Sequence, residues 1–400
     1  MKIKSIVFVS NCLSLHQKYI CDAFFSQLNG NFRFIETEPI SQERLKLGWK
    51  KLEANYLIRT YESLSSYQKA MVVISDADVV IFASGSAKES FIKERKKAKK
   101  LIFRYSERPI KTGKNNVVKN FLRGLRYQYR NPRHLPIYML CASAYTPSDF
   151  TKLGVFNNRF YKWGYFPEVK QYEDIDDLLF NKEYSTFLWA ARFIELKNLP
   201  DVLKAFSLVL LNHPKAKLKI IGGGPLENSY HSLVKEMRLE NNVFFLGTMS
   251  SLDVRLEMEK AGTFILSSGF EEGWGAVVNE AMNSGCVVIG SHSCGSVPFL
   301  IEEGKTGLIY KLHDVEELAR KMEWSLESAS RSSNIGRNAY LKIINIWEPK
   351  KAAARFIALA EEIIEGKYAE DECNLFSEGP CSPAKILDDW WITNSSDKEK

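Results

Sequence analysis

Short apolar runs alternate with helix-period stretches along almost the whole chain, and that alternation restricts the fold more than any other feature. Ile3 to Ser10, Phe32 to Ile35, Asp78 to Ala83 and Leu101 to Tyr105 read as strands, with helices at Gln17 to Leu28 and over a long stretch near Gln42 to Val73. Alternation of this kind predicts a parallel, doubly wound sheet, because successive parallel strands are joined through a crossover helix. A further apolar helix, Leu135 to Cys141, precedes a short strand and turn at Ala144 to Asp149, and Trp163-Gly164-Tyr165-Phe166-Pro167 makes a stiff crossover. The pattern then restarts. Strands are predicted at Thr186 to Ala190, Leu218 to Ile221, Val243 to Leu246, Thr263 to Leu266 and Val287 to Gly290, with a final strand and helix near Leu308 to Ser325. The helices between them are Pro200 to Leu211, Asn228 to Arg238 and Ser251 to Glu259. Four hundred residues exceed what one core usually serves. The fold class is therefore α/β, with two doubly wound parallel-sheet domains whose strand C-termini face a central cleft.

Between the strands Thr263 to Leu266 and Val287 to Gly290 lies Glu272-Gly273-Trp274-Gly275-Ala276-Val277-Val278-Asn279-Glu280, two carboxylates with a glycine-bracketed aromatic between them. Gly273 and Gly275 give backbone freedom, and Ala276, Val277, Ala281 and Met282 then show helical spacing until Asn283-Ser284-Gly285 stops it. A loop thus enters a helix N-terminus, where unpaired N–H groups suit phosphate. Glu280 can accept from the vicinal diol of a ribose and Glu272 from a sugar hydroxyl. Eight helical steps of about 1.5 Å separate them by roughly 12 Å. A retaining glycosidase pair needs only about 5–5.5 Å. Two separate polar contacts fit that spacing better than a paired acid and nucleophile.

The stretch from Ser267 to Tyr310 resembles the donor site of family 4 glycosyltransferases, which have the GT-B architecture of two Rossmann-like domains. The resemblance rests on the E-x7-E element (Glu272, Glu280), Glu280-Ala281-Met282 with Gly285, and Gly304-Lys305-Thr306-Gly307-Leu308-Ile309. Ala191-Arg192-Phe193-Ile194-Glu195-Leu196-Lys197-Asn198 resembles the family's G-R-x-x-x-x-K-N segment, and Ile220-Ile221-Gly222-Gly223-Gly224-Pro225 its I-x-G-x-G-P turn. Residues 184–366 are covered. The resemblance implies that Arg192 and Lys197 contact the donor diphosphate and that Glu280 binds the ribose. It also implies that Glu272 and the amides of Gly273, Trp274, Gly275 and Ala276 approach the sugar and diphosphate, Trp274 standing as a steric wall. Gly247 and Thr248 fall where the family places backbone contacts to the base, and Gly223 lies in a tight turn beside the donor. Fixed cations fit this chemistry, since the departing diphosphate gathers charge that an Arg fork and a Lys ammonium stabilise. The family's route retains the anomeric configuration, the departing phosphate helping to deprotonate the acceptor hydroxyl.

Three departures stand out on the acceptor side and near the donor loop. Where relatives often have a glycine-rich loop after the first strand, this chain has Ser10-Asn11-Cys12-Leu13-Ser14-Leu15-His16-Gln17, making His16 a candidate at the acceptor or donor phosphate. Where many relatives place an active-site histidine, it has Tyr105-Ser106-Glu107-Arg108-Pro109, with Glu107 and Arg108 as candidate substitutes. Ser296-Val297-Pro298-Phe299 replaces a common Gly and Glu. No Asp-x-Asp metal motif is present, because Asp174-Ile175-Asp176-Asp177 lies in an acidic surface stretch, so no metal and no cofactor beyond the nucleotide-sugar substrate is expected.

Charge adds a second function. Residues 88–133 carry sixteen Lys or Arg against three Glu, a balance of +13 in a chain whose total is +7, which leaves −6 for the rest. Within this block Val117, Val118, Phe121, Leu122 and Leu125 share one helical face, with Lys119, Arg123, Arg126 and Arg130 on the remainder. Such a helix suits an anionic membrane surface, at about 1 kcal/mol per basic residue. A solvated basic face over a packed helix is the bland alternative, and no nucleic-acid module accompanies the charge. No apolar run approaches the ~20 residues that span a bilayer. Seven cysteines without ligand spacing read as reduced thiols, which points to the cytoplasm, with peripheral attachment to its membrane face.

The predicted organisation is an acceptor-side domain at residues 1–165 with its basic segment, a nucleotide-sugar domain at 166–348, and a helix at 349–366 that crosses back to the first domain. An acidic flexible tail follows at 367–400. The predicted activity is that of a metal-independent retaining glycosyltransferase of hexosyltransferase type. It would use a UDP- or GDP-sugar and a saccharide acceptor, lipid-linked, in cell-surface polysaccharide or glycan synthesis. A non-catalytic GT-B-like scaffold subunit is the alternative. A phosphorylase or sugar-nucleotide epimerase is a third reading, and the phosphorylase's cofactor-bearing lysine motif is not found.

Overall fold

The computed structural model describes residues 2–46, 50–83, 89–110, 117–157, 159–366 and 375–387. The chain divides into two compact units, Met1–Pro167 with Trp347–Asp388, and Glu168–Ile346 with the last residues.

In the first unit the elements run β1 (Ile6–Ser10), α1 (Leu15–Gln27), β2 (Phe32–Glu36), α2 (Gln42–Lys46), β3 (Leu57–Arg59), α3 (Leu64–Asp76) and β4 (Val79–Ala83). They continue with α4 (Ser90–Lys97), β5 (Ile102–Ser106), α5 (Val117–Arg130), β6 (Ile137–Cys141), α6 (Thr146–Lys152) and β7 (Phe160–Lys162). The second unit runs α7 (Ile175–Phe180), β8 (Glu183–Ala190), α8 (Leu199–Asn212), β9 (Lys217–Ile221), α9 (Glu227–Glu236), β10 (Val243–Gly247) and α10 (Ser251–Lys260). After these come β11 (Ala261–Leu266), α11 (Val277–Asn283), β12 (Val287–Ser291), α12 (Val297–Leu300), β13 (Leu308–Tyr310), α13 (Val315–Leu326) and α14 (Ala329–Lys342). Finally α15 (Pro349–Ile364) returns to the first unit.

Both sheets are parallel. The strand orders are β3-β2-β1-β4-β5-β6-β7 and β10-β9-β8-β11-β12-β13. Strands covered by helices on both faces need no polar alternation, which is why β1, β4, β11 and β12 are buried along their whole length. In each sheet the winding direction reverses once, between β1 and β4 in the first and between β8 and β11 in the second. Ligands of doubly wound sheets bind at such reversals, outside the strand C-termini.

Several sequence expectations are corrected. The apolar run before Cys141 is strand β6, not a helix: five residues suit a strand, and it pairs with β5 and β7. Ala144 to Asp149 is not a strand, because Thr146 begins α6 with Pro147 in its first turn. The long helix near Gln42 to Val73 breaks into α2, β3 and α3. There Tyr56 enters an aromatic cluster with Phe25 and Phe32, β3 pairs with β2, and Ser63 caps α3 through Ser66 N. Asp174 similarly caps α7, where only an acidic surface stretch was read.

Helix α15 packs on α1, with Phe356 against Phe24, Phe103 and Trp163, and Glu361 accepting from Ile3 N at 2.9 Å. The expected flexible tail is docked over residues 375–387. Lys162 N donates to Ser382 O, Cys381 N to Lys162 O and Ala384 N to Phe160 O, at 2.8–2.9 Å, so this segment covers the open edge of β7. Trp390 and Trp391 lie outside the described residues.

Candidate functional site

The second unit gathers the motif residues at the reversal between β8 and β11. After β8 the chain turns through Arg192 and a single 3-10 turn, Glu195–Lys197, before Asn198 in left-handed backbone starts α8. This loop is tied on one side to the glycine turn after β9. Phe193 N donates to Gly223 O at 2.9 Å, Leu226 N to Phe193 O at 3.2 Å, and Gly222 N to Gly247 O at 2.9 Å. A Cβ on Gly222 would stand 1.9 Å from Ala191 O, and one on Gly224 2.8 Å from Phe193 O. Only glycine allows this approach. Gly223 itself faces Thr248, whose methyl lies 3.0 Å from where a Cβ would be, so Gly223, Gly247 and Thr248 meet at one edge.

On the other side the loop is tied to the segment after β11. Trp189 Nε1 donates to Ser267 Oγ at 2.9 Å, Ser267 Oγ to Lys197 O at 2.6 Å, and Gly269 N to Leu196 O at 3.0 Å. This lacing brings Lys197 Nζ into an ion pair with Glu272 Oε2, both side chains partly buried. The family resemblance gave Lys197 to the diphosphate and Glu272 to the sugar; in the fold the two side chains pair with each other. Arg192 is exposed; its carbonyl accepts from Ile194 N at 3.0 Å, and its side chain has no hydrogen bond or ion pair to the described residues.

Trp274 is fully buried, so its ring is not a wall that a ligand can touch. Its Nε1 donates to Asn279 Oδ1 at 2.9 Å, its ring lies 6.2 Å from that of Phe299, and its carbonyl accepts from Ser296 N and the Cys294 thiol. The residues that depart from the family pattern, Ser296 to Phe299, therefore pack behind the glycine loop. Gly275, at φ +80°, would set a Cβ 2.7 Å from Cys294 Sγ. Ala276 precedes α11, and Glu280 lies one turn in, half-buried. Burial raises its carboxyl above the ordinary value of 4.5, with Arg255 opposing and Glu168 adding to the rise. Burial first, and Lys311 second, pull His292 down to about 4, so it is a neutral acceptor for Leu312 N at 3.0 Å.

In the first unit a cavity of about 570 Å³ opens at the ends of β1, β4 and β5. The loop after β1 needs no glycine because side chains hold it. Asn11 Oδ1 accepts from Cys12 N, and Leu13 N donates to Glu36 Oε1 at 2.8 Å, with Glu36 fixed by Arg59 Nε at 2.7 Å. His16 lines the cavity, and burial lowers its pKa, so the ring is neutral near pH 7. It stacks on Tyr165, centroids 5.6 Å apart and planes 3° from parallel. Tyr165 donates to Glu107 Oε1 at 2.6 Å. Glu107 and Arg108 both line the cavity, and Arg108 forks onto Asp149 at 3.1 and 3.2 Å and lies over Tyr145. Tyr165 and Asp149 were not singled out from sequence. Tyr165 was visible only as part of a stiff crossover, and Asp149 only as a turn residue.

Helix α5 exposes its apolar side: Val118, Phe121, Leu122 and Leu125 stand 48–68% open, and Tyr129 83%. Its other side packs, with Gly124 close against Leu153 O, Tyr127 edge-on to Phe150 at 5.1 Å and Gln128 Nε2 donating to Leu153 O at 3.2 Å. Among the described residues no helix is long and apolar enough to cross a membrane, and no group of three His, Cys, Asp or Glu could hold a metal ion.

Residues 170–342 match the family described as Glycosyl transferases group 1. The chain is 30% identical over 150 residues to the poly(glycerol-phosphate) alpha-glucosyltransferase of Bacillus subtilis, covering 38% of this chain and 22% of that protein. It is 26% identical over 174 residues to the N-acetyl-alpha-D-glucosaminyl L-malate synthase of Bacillus anthracis, covering 44% of each. The chain thus spans less than half the length of these curated relatives. Among solved structures, Anabaena Alr3699/HepE in complex with UDP superposes with a TM-score of 0.63 at 15% identity, covering 91% of this chain and 99% of that one. The pneumococcal O-GlcNAc transferase GtfA in complex with UDP and GlcNAc gives 0.60 at 12% identity, covering 90% and 99%.

Proposed function

Residues 170–342 match the group 1 glycosyl transferases and the chain has the GT-B fold, and from that premise we propose that it is a retaining, metal-independent hexosyltransferase. It takes a UDP- or GDP-sugar and extends a saccharide acceptor, lipid-linked, for a cell-surface polysaccharide or glycan. The reading rests above all on the lacing that gathers Arg192, Lys197 and Glu272 at the reversal of the second sheet. There an Arg fork and a Lys ammonium suit a diphosphate, the glycine turn lets backbone approach closely, and Glu280 is the carboxylate for the ribose. In the reaction the bond from the anomeric carbon to the phosphate oxygen breaks and a bond to the acceptor oxygen forms on the same face. The acceptor proton passes to the departing phosphate, whose charge Arg192 and Lys197 stabilise. That two relatives are named as an alpha-glucosyltransferase and an N-acetyl-alpha-D-glucosaminyl L-malate synthase favours retention.

The exposed apolar face of α5 and its basic flanks support peripheral attachment to the anionic, cytoplasmic face of a membrane, which would bring a lipid-linked acceptor to the first unit. The deciding experiment is a thermal-shift screen with UDP, GDP and their sugars. A ligand at 100 times its dissociation constant adds about 2.7 kcal/mol. One nucleotide should stabilise the protein, its sugar should be hydrolysed slowly without acceptor, and Glu280→Ala should abolish both effects. Unchanged turnover in Glu280→Ala would reject the assignment and favour a scaffold.

A further inference from the structure

The two cations assigned to the donor diphosphate differ in what already holds them. The Arg192 side chain is exposed and makes no hydrogen bond or ion pair with the described residues. Lys197 Nζ instead donates to Glu272 Oε2, and only 16% and 17% of the two side chains are open to solvent. Backbone contacts fix the points from which both side chains extend. Lys197 N donates to Ile194 O at 3.0 Å and Lys197 O accepts from Ser267 Oγ at 2.6 Å, while Glu272 N donates to Gly269 O and Gly269 N to Leu196 O, both at 3.0 Å. Gly275 gives the Glu272 side chain room to fold back, since a Cβ there would lie 3.5 Å from Glu272 Cγ. Burial, reinforced by the Glu272 charge, pushes the Cys294 thiol behind this loop up to about 12, so the thiol is no rival anion for Lys197.

From this geometry we propose that Glu272 is a specificity-determining residue, which makes the donor site select a nucleotide sugar over the free nucleoside diphosphate by competing with the diphosphate for Lys197. The inference rests on the transferase reading and deepens it at the donor site. A phosphate oxygen that takes Lys197 leaves the Glu272 carboxylate unpaired where only 17% of it meets water, and a mostly buried charge without a partner is costly. A free nucleoside diphosphate has only its ribose hydroxyls to donate, and those belong to Glu280. A nucleotide sugar brings further hydroxyls on the same molecule, and one that donates to Glu272 restores the lost bond. The full gain from Lys197 is therefore realised only when diphosphate and sugar arrive together. Once the sugar has been transferred, Glu272 reclaims Lys197, and the nucleoside diphosphate is held more weakly and leaves. Because both backbones are fixed, this exchange needs only the rotation of two flexible side chains.

The test titrates UDP and GDP into the full chain and its variants by calorimetry. Glu272→Gln removes the charge and keeps the shape, and it should bind the preferred nucleoside diphosphate about tenfold more tightly than the wild type, the gain expected from one released charge-assisted hydrogen bond. Glu272→Ala, which also removes any amide contact to Lys197, should gain at least as much. Plain repulsion between a carboxylate and a diphosphate would raise affinity too, so the deciding measurement is a cycle with Lys197. Lys197→Gln should weaken binding less than about threefold in the wild type, where the gain from Lys197 is offset by the broken pair, and about tenfold or more in the Glu272→Gln background. Arg192→Gln is the control and should cost the same factor in both backgrounds. The sugar of the preferred nucleotide should bind the wild type more tightly than the free nucleotide does, and should lose most of that advantage in Glu272→Gln. Weaker nucleotide binding in both Glu272 variants, an equal cost of Lys197→Gln in the two backgrounds, or an unchanged sugar advantage would overturn the proposal. If the wild type binds neither UDP nor GDP, the transferase reading fails and this inference falls with it. Wild-type binding without coupling between Lys197 and Glu272 would remove the inference alone.

Discussion

At the C-terminal edge of the second sheet the chain path is dictated by backbone. Gly222 and Gly224 pass so close to Ala191 and Phe193 that no side chain fits, and main-chain hydrogen bonds from Phe193, Leu226 and Gly269 lace three loops together. At the same edge of the first sheet the corresponding loop, Ser10 to Gln17, contains no glycine and is shaped by Asn11, by the Glu36–Arg59 pair, and by a His16–Tyr165–Glu107 chain of contacts. Two sheets of the same winding thus build their ligand edges by different means. A backbone-built edge admits one residue type at fixed positions, whereas a side-chain-built edge can be reached by many combinations. The first suits a ligand with constant parts, such as a nucleotide diphosphate, and the second a ligand that differs between enzymes.

If the second edge is built by backbone, Gly222→Ala is the change that should break it most. Its new methyl meets a carbonyl at 1.9 Å on a backbone at φ +142°, so the loss should exceed about 3 kcal/mol and abolish stabilisation by UDP or GDP. Gly247→Ala supplies the control. Gly247 also has positive φ, +71°, yet nothing lies within 4 Å of its Cβ direction, so only conformational cost of about 1–2 kcal/mol should remain. Equal losses at the two positions, measured by thermal unfolding with and without nucleotide, would show that close approach is not what holds the edge.

Arg192→Ala sharpens the contrast differently. The side chain is exposed and makes no hydrogen bond or ion pair with the described residues, so stability should change by less than about 0.5 kcal/mol. Turnover should nevertheless fall about 10²–10³-fold, the loss typical of one preorganised donor to a developing anion. A fall in melting temperature with turnover retained would reverse the roles given to backbone and side chain.

The same contrast explains what the sequence made legible. The second sheet's edge could be read because Gly222, Gly223, Gly275 and Arg192 fall at spacings that few other folds require. Most of that unit's elements could be read too, since buried parallel strands are continuous apolar runs. Contacts brought about by folding could not be read: the Lys197–Glu272 pair joins residues 75 positions apart, and Tyr165 lies 58 positions from Glu107. The burial of Trp274 was hidden for a similar reason, since its partner Phe299 arrives from α12. Strand β6 was mistaken for helix because five apolar residues carry no periodicity that distinguishes the two.

The units also differ in what they expose to solvent, and the smallest expected effect tests that difference. In the first unit α5 opens Phe121, Leu122 and Leu125 beside Lys119, Arg126 and Arg130. In the second, α10 opens Leu252 and Leu256 on a helix that holds Asp253, Glu257 and Glu259 with Arg255 and Lys260, Glu257 paired to Lys219 and Lys260 and Glu259 to Lys170. Apolar exposure is shared, so the proposed attachment to an anionic bilayer requires that charge distinguish the two surfaces. Each basic residue near such a surface contributes about 1 kcal/mol, and Arg126→Ala should therefore lower partition onto vesicles rich in anionic lipid about fivefold. The loss should shrink as salt rises and the Debye length falls from about 10 Å at 0.1 M toward about 3 Å at 1 M. Leu256→Ser on α10 should leave partition unchanged, because that helix carries no excess of positive charge to draw it to the same lipid. Co-sedimentation that is indifferent to lipid charge, or equally sensitive to both changes, would remove α5 as the membrane face and return it to a solvated basic helix.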